Sequence, residues 1–539
     1  MDQPTAPMLF FYDWMGNGIK PGEAQIVGNK TQSSNIRQAI YKINGMVLVA
    51  DVLSQSGELH RSPPLALGIG GLTEPNKLDI AVLFSAPPKQ FLGLLGLSCL
   101  TKLPHHWVVQ CRVGGETAIN VPAAVPSGAS LSVAHDFTGF AFEERSFYYY
   151  FALAKREVSR NLVNAIAEKT NTEPNIRVGD TSLDDSQCGP NQDEPIRIPP
   201  GEECQGIPSN MTFGPSFFDA FAVLPNARYV IDIPMKKDNL ENSKAIAKDA
   251  YQKIGAEKIV SFEIGNEPNN YGQNMDMAKY IKKWKTCCQE KANGASDLQY
   301  DLMNFTAIVR GSEFEKDAVD YLRNRTPPIP LSLAEDGSVL GNGSNNDALE
   351  AVLGSALCMT IGVNKINWQS GLTFPFALWN PTYENKNNKT FLASVHPAFY
   401  GQIFSAEFRG NADNVRISSI AHHTFLSAYA AYDNTKLRRV AIFNLQLCGR
   451  DDRPTTKVTL QIEAESSVVH IEVKKLTSPG GGTASASEIT WSGMQWMAES
   501  GGKSVRVLNN TVTLRVTDGK VEIDVSASEA VIAFVRYTV

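Results

Sequence analysis

Between residues 136 and 400, short apolar runs alternate with segments of helical periodicity. The runs Phe137–Glu143, Asn175–Asp180 and Ala227–Pro234 are each followed by a polar loop, and Arg156–Glu168 and Asn242–Ile254 have the apolar spacing of amphipathic helices. This order of strand, loop and helix predicts an α/β fold with a parallel sheet. Further predicted elements are a helix start at 215–221, strands at 258–264, 331–334 and 365–369, and helices at 277–291 and 347–362.

The rest of the chain has a different pattern on either side of this region. From about residue 401 to 539, short apolar runs are separated by turn residues at short intervals, which predicts a C-terminal β-sandwich. Residues 1–115 have frequent Gly and Pro and no clear period, so we expect an extension that is either poorly ordered or a mistranslated upstream region. A short strand is predicted at Thr117–Pro122.

The stretch Phe262–Asn269 is the most informative part of the sequence, because an apolar run there ends in Gly-Asn-Glu-Pro-Asn. Pro cannot donate to a ladder and Gly weakens strand interiors, so the strand stops at this point. Glu267 is therefore predicted at the carboxyl end of a buried strand, where barrel enzymes place their chemistry. Asn266 is predicted to contact the substrate beside it.

A second glutamate, Glu335, follows the predicted strand at 331–334. Hydrolysis of a glycoside needs two carboxyl groups, one that protonates the leaving oxygen and one that attacks the sugar carbon or activates water. An Asn beside the acid is suited to a sugar 2-hydroxyl. The alternative is that both glutamates are ordinary loop acids; the Gly-Asn-Glu-Pro string argues against this for Glu267, whereas Glu335 alone is not a specific signal.

Composition limits the possible classes. The chain has 539 residues, 43% hydrophobic and 20% charged, which is typical of a folded protein with two or three domains. A net charge of −6 argues against a nucleic-acid partner. No apolar run is long enough to span a bilayer. The pairs His105-His106 and His422-His423 lack ligand spacing to other residues, and neither a metal nor a cofactor is expected.

Cysteines and glycosylation sequons bear on the compartment. Cys188 and Cys204 bracket a polar loop and form a candidate disulfide, with two free thiols as an equal alternative. Sequons favour a secreted glycoprotein, although Met1-Asp2-Gln3-Pro4 does not begin a signal peptide and the apolar Phe91–Leu97 is better explained as a buried element. The sequons lie at Asn29, Asn210, Asn304, Asn324, Asn342, Asn388 and Asn509.

Several separate stretches resemble glycoside hydrolase family 79, the β-glucuronidases and heparanase-like enzymes, and most closely its fungal members. Gly139–Glu143, Ile176–Gly179 and Phe213–Phe218 are similar to early parts of that family's barrel. Glu263–Pro268 and Leu333–Ser338 resemble its acid/base and nucleophile strands. Val395–Gly401 and the strands after it resemble its C-terminal β-domain, so the resemblance covers about 117–539.

The resemblance implies a (β/α)8 TIM barrel over 136–400 and a C-terminal β-sandwich over 401–539, joined by strands from 116–135. It implies a retaining mechanism in which Glu335 attacks the anomeric carbon and Glu267 is the acid/base, with carboxyls about 5–5.5 Å apart. By the same resemblance Glu143 binds a sugar hydroxyl, and Gln369 and Phe374 lie in the loop that binds the uronate. Phe374 stands where the family has a tyrosine.

The interval 288–330 departs from the family because it is short for two strand–helix units. Leu298–Val309 is a possible strand and Lys316–Asn324 a possible helix. We expect about one βα unit of the barrel to be missing or badly shortened. Either the chain is truncated or mis-spliced, or another segment, such as the N-terminal extension, fills the gap.

Three functions fit these observations. The first is an exo-acting retaining glycosidase that removes terminal β-linked glucuronic acid, or its 4-O-methyl form, from a glycan or glycoside. The second is a catalytically degenerate relative that binds glycans, favoured by the short interval. The third is an endo-acting enzyme on another acidic polysaccharide. The sequence leaves the oligomeric state open.

Overall fold

The computed structural model describes residues 115–152, 156–199, 210–267, 271, 316–337, 345–384, 390–463 and 468–538, less 317, 327, 375, 424, 447, 451 and 452, and the backbone of five strands between 24 and 82. Two compact units are present, Met1–Trp107 and Val108–Val539. In the first, Ala24–Ser33, Ile36–Ile43 and Met46–Leu53 form an antiparallel sheet, and Gly68–Ile69 pairs with Ala81–Val82. The sequence did not predict these strands.

A curled sheet of six parallel strands forms the centre of the second unit. In chain order the strands are β1 Thr138–Glu143, β2 Asn175–Gly179, β3 Arg228–Ile233, β4 Ile259–Ile264, β5 Ser332–Asp336 and β6 Lys365–Ser370. Their order across the sheet is β4-β3-β2-β1-β6-β5, and every pair is parallel. The predicted α/β class with a parallel sheet is confirmed. The strand at 298–309 and the helix at 277–291, predicted between β4 and β5, lie outside the described residues.

Helices follow the strands, as the periodicity indicated. The predicted helices at 156–168, 242–254 and 347–362 are Arg156–Thr170, Leu240–Ile254 and Asn345–Ile361 in the structure. The segment at 215–221 differs, because Pro215–Val223 is a 3-10 helix, in which Phe218 and Phe221 are three residues apart and stack at 5.9 Å. The possible helix at Lys316–Asn324 is confirmed, because residues 316 and 318–323 are helical. Glu144–Phe151, Thr181–Asp184 and Pro397–Arg409 are also helices, and there are 3-10 turns at Ala256–Lys258, Gly481–Thr483 and Ala486–Glu488.

The C-terminal region is all-β, as predicted. A nine-stranded sheet contains Val415–His422, Leu426–Asp433, Lys436–Asn444, Glu529–Tyr537, Val468–Thr477, Thr490–Trp491, Met494–Trp496 and Ser504–Arg506 in that spatial order, with Val512–Arg515 paired to Val468–Thr477. A three-stranded sheet contains Lys520–Ser526, Thr455–Ile462 and Glu116–Val121. The last of these pairs in parallel with Thr455–Ile462. Buried side chains from both sheets, such as Val121, Val440 and Leu460, belong to one hydrophobic cluster.

Smaller pairings lie in loops around the parallel sheet. They are Gln187–Cys188 and Ile196–Arg197 with Thr212–Phe213, Trp379–Asn380 with Ser394–Val395, and Tyr383–Glu384 with Thr390–Phe391. The helix Pro397–Arg409 is buried along most of its length between the parallel sheet and the nine-stranded sheet. Phe404 on this helix contacts Trp491 edge-on at 5.0 Å. Trp491 and Trp496 are buried core residues.

Candidate active site

Polar side chains line the inner face of the parallel sheet. Residues alternate along a strand, so Ile176 and Val178 of β2 face the surrounding helices while Asn175 and Arg177 face the interior. The carboxyl ends of parallel strands meet at one edge, and barrel enzymes build their sites there. Glu143, Asn266, Glu335 and Gln369 all lie at this edge.

Arg177 joins several of these side chains, and it is fully buried. Its Nε and Nη2 donate to the two carboxylate oxygens of Glu263 at 2.7 and 3.1 Å. Its Nη1 donates to Oε2 of Glu335 at 3.1 Å, and its Nη2 donates to Oδ1 of Asn266 at 2.8 Å. One planar guanidinium therefore connects the strand that precedes Glu267 with the strand that carries Glu335.

The buried charges shift one another's pKa. Burial raises the pKa of Glu335 well above its usual range, Asp180, Glu267 and Glu263 raise it further, and Arg177 opposes them. Asp232 has a raised pKa for the same reasons, burial and then Glu263, and its Oδ2 lies 3.8 Å from Nη2 of Arg177. Burial lowers the pKa of Arg177, but its carboxylate neighbours, first Glu263 and then Glu335, raise it well above the usual value. The site therefore contains one permanent cation among carboxyls that compete for protons.

Glu267 follows a tight turn at the end of β4. The last ladder bond runs from the Gly265 N–H to the Ile233 carbonyl at 2.9 Å. Gly265 then has φ +79° and Glu267 has φ +38°. A positive φ at a glutamate is uncommon and is found where the surroundings impose it, often at active sites. Its charge is one of those that raise the pKa of Glu335.

Asp180, directly after β2, connects two other predicted site residues. Its carboxylate accepts from Nε2 of Gln369, and Nδ2 of Asn266 lies 3.5 Å from its Oδ1. It has φ +83° and ψ −177°, a conformation that residues other than glycine rarely adopt. Asp180 therefore belongs to the same cluster as Asn266 and Gln369.

The two carboxylate oxygens of Glu143, at the end of β1, have different surroundings. Oε2 accepts from the N–H and the hydroxyl of Ser146 at 3.0 and 2.6 Å, which caps the helix Glu144–Phe151. Among the described residues, Oε1 is buried and has no hydrogen-bond partner. Burial, and then the charge of Asp180, raises the pKa of Glu143. This residue therefore stabilises a helix and also leaves one acceptor for a further donor.

Phe374 lies in the loop after β6, as predicted, but it does not join the polar cluster. Its ring lies over Gly371, where an added Cβ would meet the ring at 2.5 Å, and its centroid is 5.2 Å from that of Phe376. Gln369 is buried in β6, and its Oε1 has no hydrogen-bond partner among the described residues.

The sequence reasoning did not identify Arg177, Asp180, Asp232 or Glu263 as site residues. Asp180 follows a strand end as Glu143 does, so the same criterion could have found it. The other three are charged residues inside otherwise apolar strands, and a charge at a buried strand position is the available signal. None of the three follows a Gly or Pro that marks a strand end, so the criterion that identified Glu267 does not find them.

The Cys188–Cys204 disulfide is not formed in the structure, where Cys188 is a free thiol. Its Sγ lies 3.2 Å from Oδ2 of Asp249, and burial together with Asp249 and Glu144 raises its pKa to about 12. A thiol that donates to a carboxylate is stable without a partner, and Cys204 lies outside the described residues.

No group of three or more His, Cys, Asp or Glu side chains in the described part of the chain is arranged to hold a metal ion. Within the same residues, no helix is both long and apolar enough to cross a bilayer.

Known proteins similar to this chain are glycosidases. Residues 428–532 match the model of the glycosyl hydrolase family 79 C-terminal beta domain. A β-glucuronidase of Aspergillus niger is 25% identical, over 83% of this chain and 99% of its own length, and one of Neurospora crassa is 22% identical over 78% and 93%.

Solved structures of glycoside hydrolases share the fold. A 4-O-α-L-rhamnosyl-β-D-glucuronidase from Fusarium oxysporum is 19% identical, with a TM-score of 0.64 over 77% of this chain and 100% of its own. A GH51 arabinofuranosidase from Xanthomonas axonopodis is 13% identical, with a TM-score of 0.53 over 79% and 100%. These likenesses identify the parallel sheet with the barrels of such enzymes.

These similarities show that the chain is a glycosidase. The resemblance of the chain to glycoside hydrolase family 79 is confirmed.

Proposed function

We propose that this protein is a retaining glycoside hydrolase that releases terminal β-linked glucuronic acid, or its 4-O-methyl form, by double displacement. In the first step an oxygen of Glu335 bonds to the anomeric carbon as the glycosidic bond breaks, and Glu267 gives its proton to the departing oxygen. In the second step Glu267 takes a proton from water, which attacks the anomeric carbon and releases Glu335.

The observation that carries this proposal is the contact of Arg177 with Glu335 and with Asn266. Its guanidinium donates to Glu335 and to Asn266, the residue before Glu267. Two carboxyls from different strands can act on one sugar only if a contact holds the two strands at a fixed distance from each other. A buried, bidentate arginine is suited to that task because its donors diverge in one rigid plane.

The same contact supports the division of roles. Burial raises the pKa of Glu335, and repulsion from the carboxyl of Glu267 raises it further. Arg177 donates directly to Glu335 and stabilises the negative charge there. The proposed mechanism requires the proton on Glu267 and an ionised Glu335 when the substrate is bound, because retention needs a general acid and a nucleophile.

Unpartnered oxygens at the same edge support binding of a sugar. Among the described residues, Oε1 of Glu143 and Oε1 of Gln369 are buried acceptors without a donor. Buried acceptors are normally satisfied, and sugar hydroxyls supply donors. Both residues connect to Asp180, Glu143 through its charge and Gln369 through a hydrogen bond, so we propose Asp180 as a further residue of this subsite.

We propose glucuronic acid as the sugar because of the relatives' names, and not because of a binding site for its carboxylate. Both curated relatives are named β-glucuronidase, and the Fusarium oxysporum enzyme is named as acting on a glucuronide. Phe374 has no hydroxyl to offer a carboxylate, and Nε2 of Gln369 already donates to Asp180. Recognition of the uronate by Phe374 and Gln369 remains a prediction.

We propose further that β1 to β6 are six strands of a (β/α)8 barrel over 136–400 that lacks about one βα unit. We also propose that 401–539 and 116–135 together form a β-sandwich. The shared hydrophobic cluster of the two antiparallel sheets supports the sandwich. Secretion is supported by exposed sequon residues at Asn210, Asn324 and Asn509 and by a disulfide at Cys448, since disulfides persist in oxidising compartments.

The function is tested by incubating the purified full chain with p-nitrophenyl β-glucuronide. We expect glucuronic acid to be released first as the β-anomer, and Glu335→Gln and Glu267→Gln to lower kcat/KM by at least about 100-fold. As a matched control, Glu499→Gln on the β-domain should leave turnover unchanged. Binding of a glucuronide without hydrolysis would support the degenerate alternative, and shortened acidic polysaccharide without monomer release would support endo action.

A further inference from the structure

Tyr271 lies four residues after Glu267 and reaches back to the turn that carries it. It is partly buried against the main hydrophobic core. Its hydroxyl donates to Oδ1 of Asp184 at 2.8 Å. The hydroxyl oxygen of Tyr271 also lies against Gly265, where an added Cβ would be 2.7 Å away. Burial, and then the charges of Asp184 and Asp232, raise the pKa of the phenol, and a backbone hydrogen bond from Asn266 opposes them. The hydroxyl thus lies between the turn and the helix Thr181–Asp184.

The turn from Gly265 to Glu267 needs a contact that holds its backbone in place. The ladder of β4 ends with the Gly265 N–H, and beyond it the backbone takes positive φ at Gly265 and at Glu267. Such a conformation persists only where the surroundings impose it. Arg177 fixes the side chain of Asn266, whereas the direction of Glu267 depends on the backbone. The Tyr271 hydroxyl is placed to hold that backbone.

We propose that Tyr271 is a positioning residue for Glu267, whose hydroxyl ties the backbone of Gly265 and Asn266 to Asp184. The role assigned to Glu267 rests on the proposed function, whereas the tie itself does not. A general acid must lie within hydrogen-bond reach of the oxygen it protonates, so loosening this turn weakens proton transfer more than it weakens sugar binding.

Asp184 makes the tie sensitive to pH. Its Oδ1 also faces the Met235 N–H at 3.4 Å, and its charged neighbours are Lys236 after β3 and Asp232 within β3. Burial raises the pKa of Asp184 to about 6, against these hydrogen bonds and Lys236. Above that pH the carboxylate is a strong acceptor for the Tyr271 hydroxyl, and below it the proton weakens the bond. Asparagine at this position keeps an oxygen acceptor without titrating.

The test compares Tyr271→Phe with Tyr251→Phe, which removes an exposed hydroxyl from the helix Leu240–Ile254. Two aryl β-glucuronides are used, one with a leaving phenol of high pKa and one with an activated, dinitrated phenol. An activated phenol leaves without a proton. We expect Tyr271→Phe to lower kcat/KM by roughly 10–100-fold for the poor leaving group and less than about 2-fold for the activated one. Asp184→Asn, which keeps a neutral oxygen acceptor, should lose less activity on the poor leaving group than Asp184→Ala, which should behave like Tyr271→Phe.

A second measurement does not depend on turnover. Hydrogen exchange followed by mass spectrometry should show faster exchange in the peptide that contains Gly265 and Asn266 in Tyr271→Phe than in the wild type or in Tyr251→Phe. Equal losses on both substrates, or unchanged exchange in Tyr271→Phe, would overturn the proposal. If the wild type hydrolyses no glucuronide, the proposed function fails, while the exchange result still decides whether Tyr271 ties the turn.

Discussion

Arg177 shows how one residue can determine the electrostatics of a site. It is buried with Glu263, Glu335 and Asp232 around it, at N–O distances from 2.7 to 3.8 Å. Burying a charge is costly unless it is paired and hydrogen-bonded, and here a single cation compensates several carboxyls. The same donors that make this arrangement stable also hold Glu335 in its orientation.

Replacing Arg177 with methionine should destabilise the protein and abolish turnover. The carboxyls that remain would be uncompensated buried charges, so we expect the free energy of unfolding at pH 7 to fall by about 3–5 kcal/mol. The loss should be smaller at pH 5, because carboxyls with raised pKa take up protons and the repulsion disappears. Urea unfolding at the two pH values measures both effects.

The control is Arg228→Met, since Arg228 pairs with Glu173 at 3.6 Å on the surface and both side chains are about half exposed. Its loss should change stability by less than about 1 kcal/mol at either pH. A similar loss in both variants would show that the buried network has no special contribution.

The sequence was informative for residues at strand ends and less so within strands. Glu267 and Glu335 could be found because Gly, Pro or a polar run marks where their strands stop. Arg177, Asp232 and Glu263 lie inside strands that are buried on both faces, where the sequence does not say which neighbours will compensate a charge. The partners come from β3, β4 and β5, and only the sheet order brings them together.

At the scale of elements, glycines let polar side chains pack inside the parallel sheet. A Cβ on Gly139 of β1 would lie 2.0 Å from Oδ1 of Asn367, which accepts from Asn175 at 3.0 Å. A Cβ on Gly179 of β2 would lie 2.3 Å from Cβ of Asp232. Side chains of neighbouring strands can therefore approach this closely only because Gly139 and Gly179 have no Cβ.

We expect Gly139→Ala to lower the free energy of unfolding by about 1–3 kcal/mol, because the methyl group displaces Asn367 and strains its bond to Asn175. Gly128→Ala, in a loop with nothing within 4 Å of the added Cβ, is the matched control and should stay within about 0.5 kcal/mol of the wild type. Equal stability of the Gly139 variant would contradict the packing described. Thermal and urea unfolding are suitable measurements.

Helices were predicted to within a few residues where their apolar spacing was regular, as in Arg156–Thr170. The 3-10 form of Pro215–Val223 was not predicted, because a run with several phenylalanines has no clear 3.6-residue period. Tertiary packing of Phe217, Phe218 and Phe221 decides its geometry.

At the scale of the whole second unit, Glu407 connects three layers. This residue on the helix Pro397–Arg409 pairs with Lys169 of Arg156–Thr170 at 2.9 Å and with Lys474 of the nine-stranded sheet at 2.5 Å. It also accepts from the indole N–H of Trp491 at 2.9 Å. Burial raises the pKa of Glu407, but the two lysines outweigh it and bring the pKa down to about 2.

A lowered carboxyl pKa stabilises the folded state above the unfolded pKa, near 4.5, and this contribution is lost as the pH falls through about 2. Glu407→Gln should therefore reduce the free energy of unfolding by about 3 kcal/mol at pH 7, and its difference from the wild type should vanish toward pH 2. The exposed Glu522, paired with Lys457, is the control, and Glu522→Gln should have little effect. A constant difference at every pH would refute the assignment.

The central claim, that Glu335 is the nucleophile of a retaining glycosidase, is tested most directly by trapping the intermediate. A 2-deoxy-2-fluoro-β-glucuronyl fluoride would lose fluoride as its anomeric carbon bonds to the nucleophile, and the fluorine at C2 slows the hydrolysis that follows. We predict stoichiometric inactivation and, by peptide mass spectrometry, one glycosyl adduct on Glu335 that is absent from Glu335→Gln. An adduct on another residue, or turnover of glucuronides by an enzyme that never forms an adduct, would contradict the account.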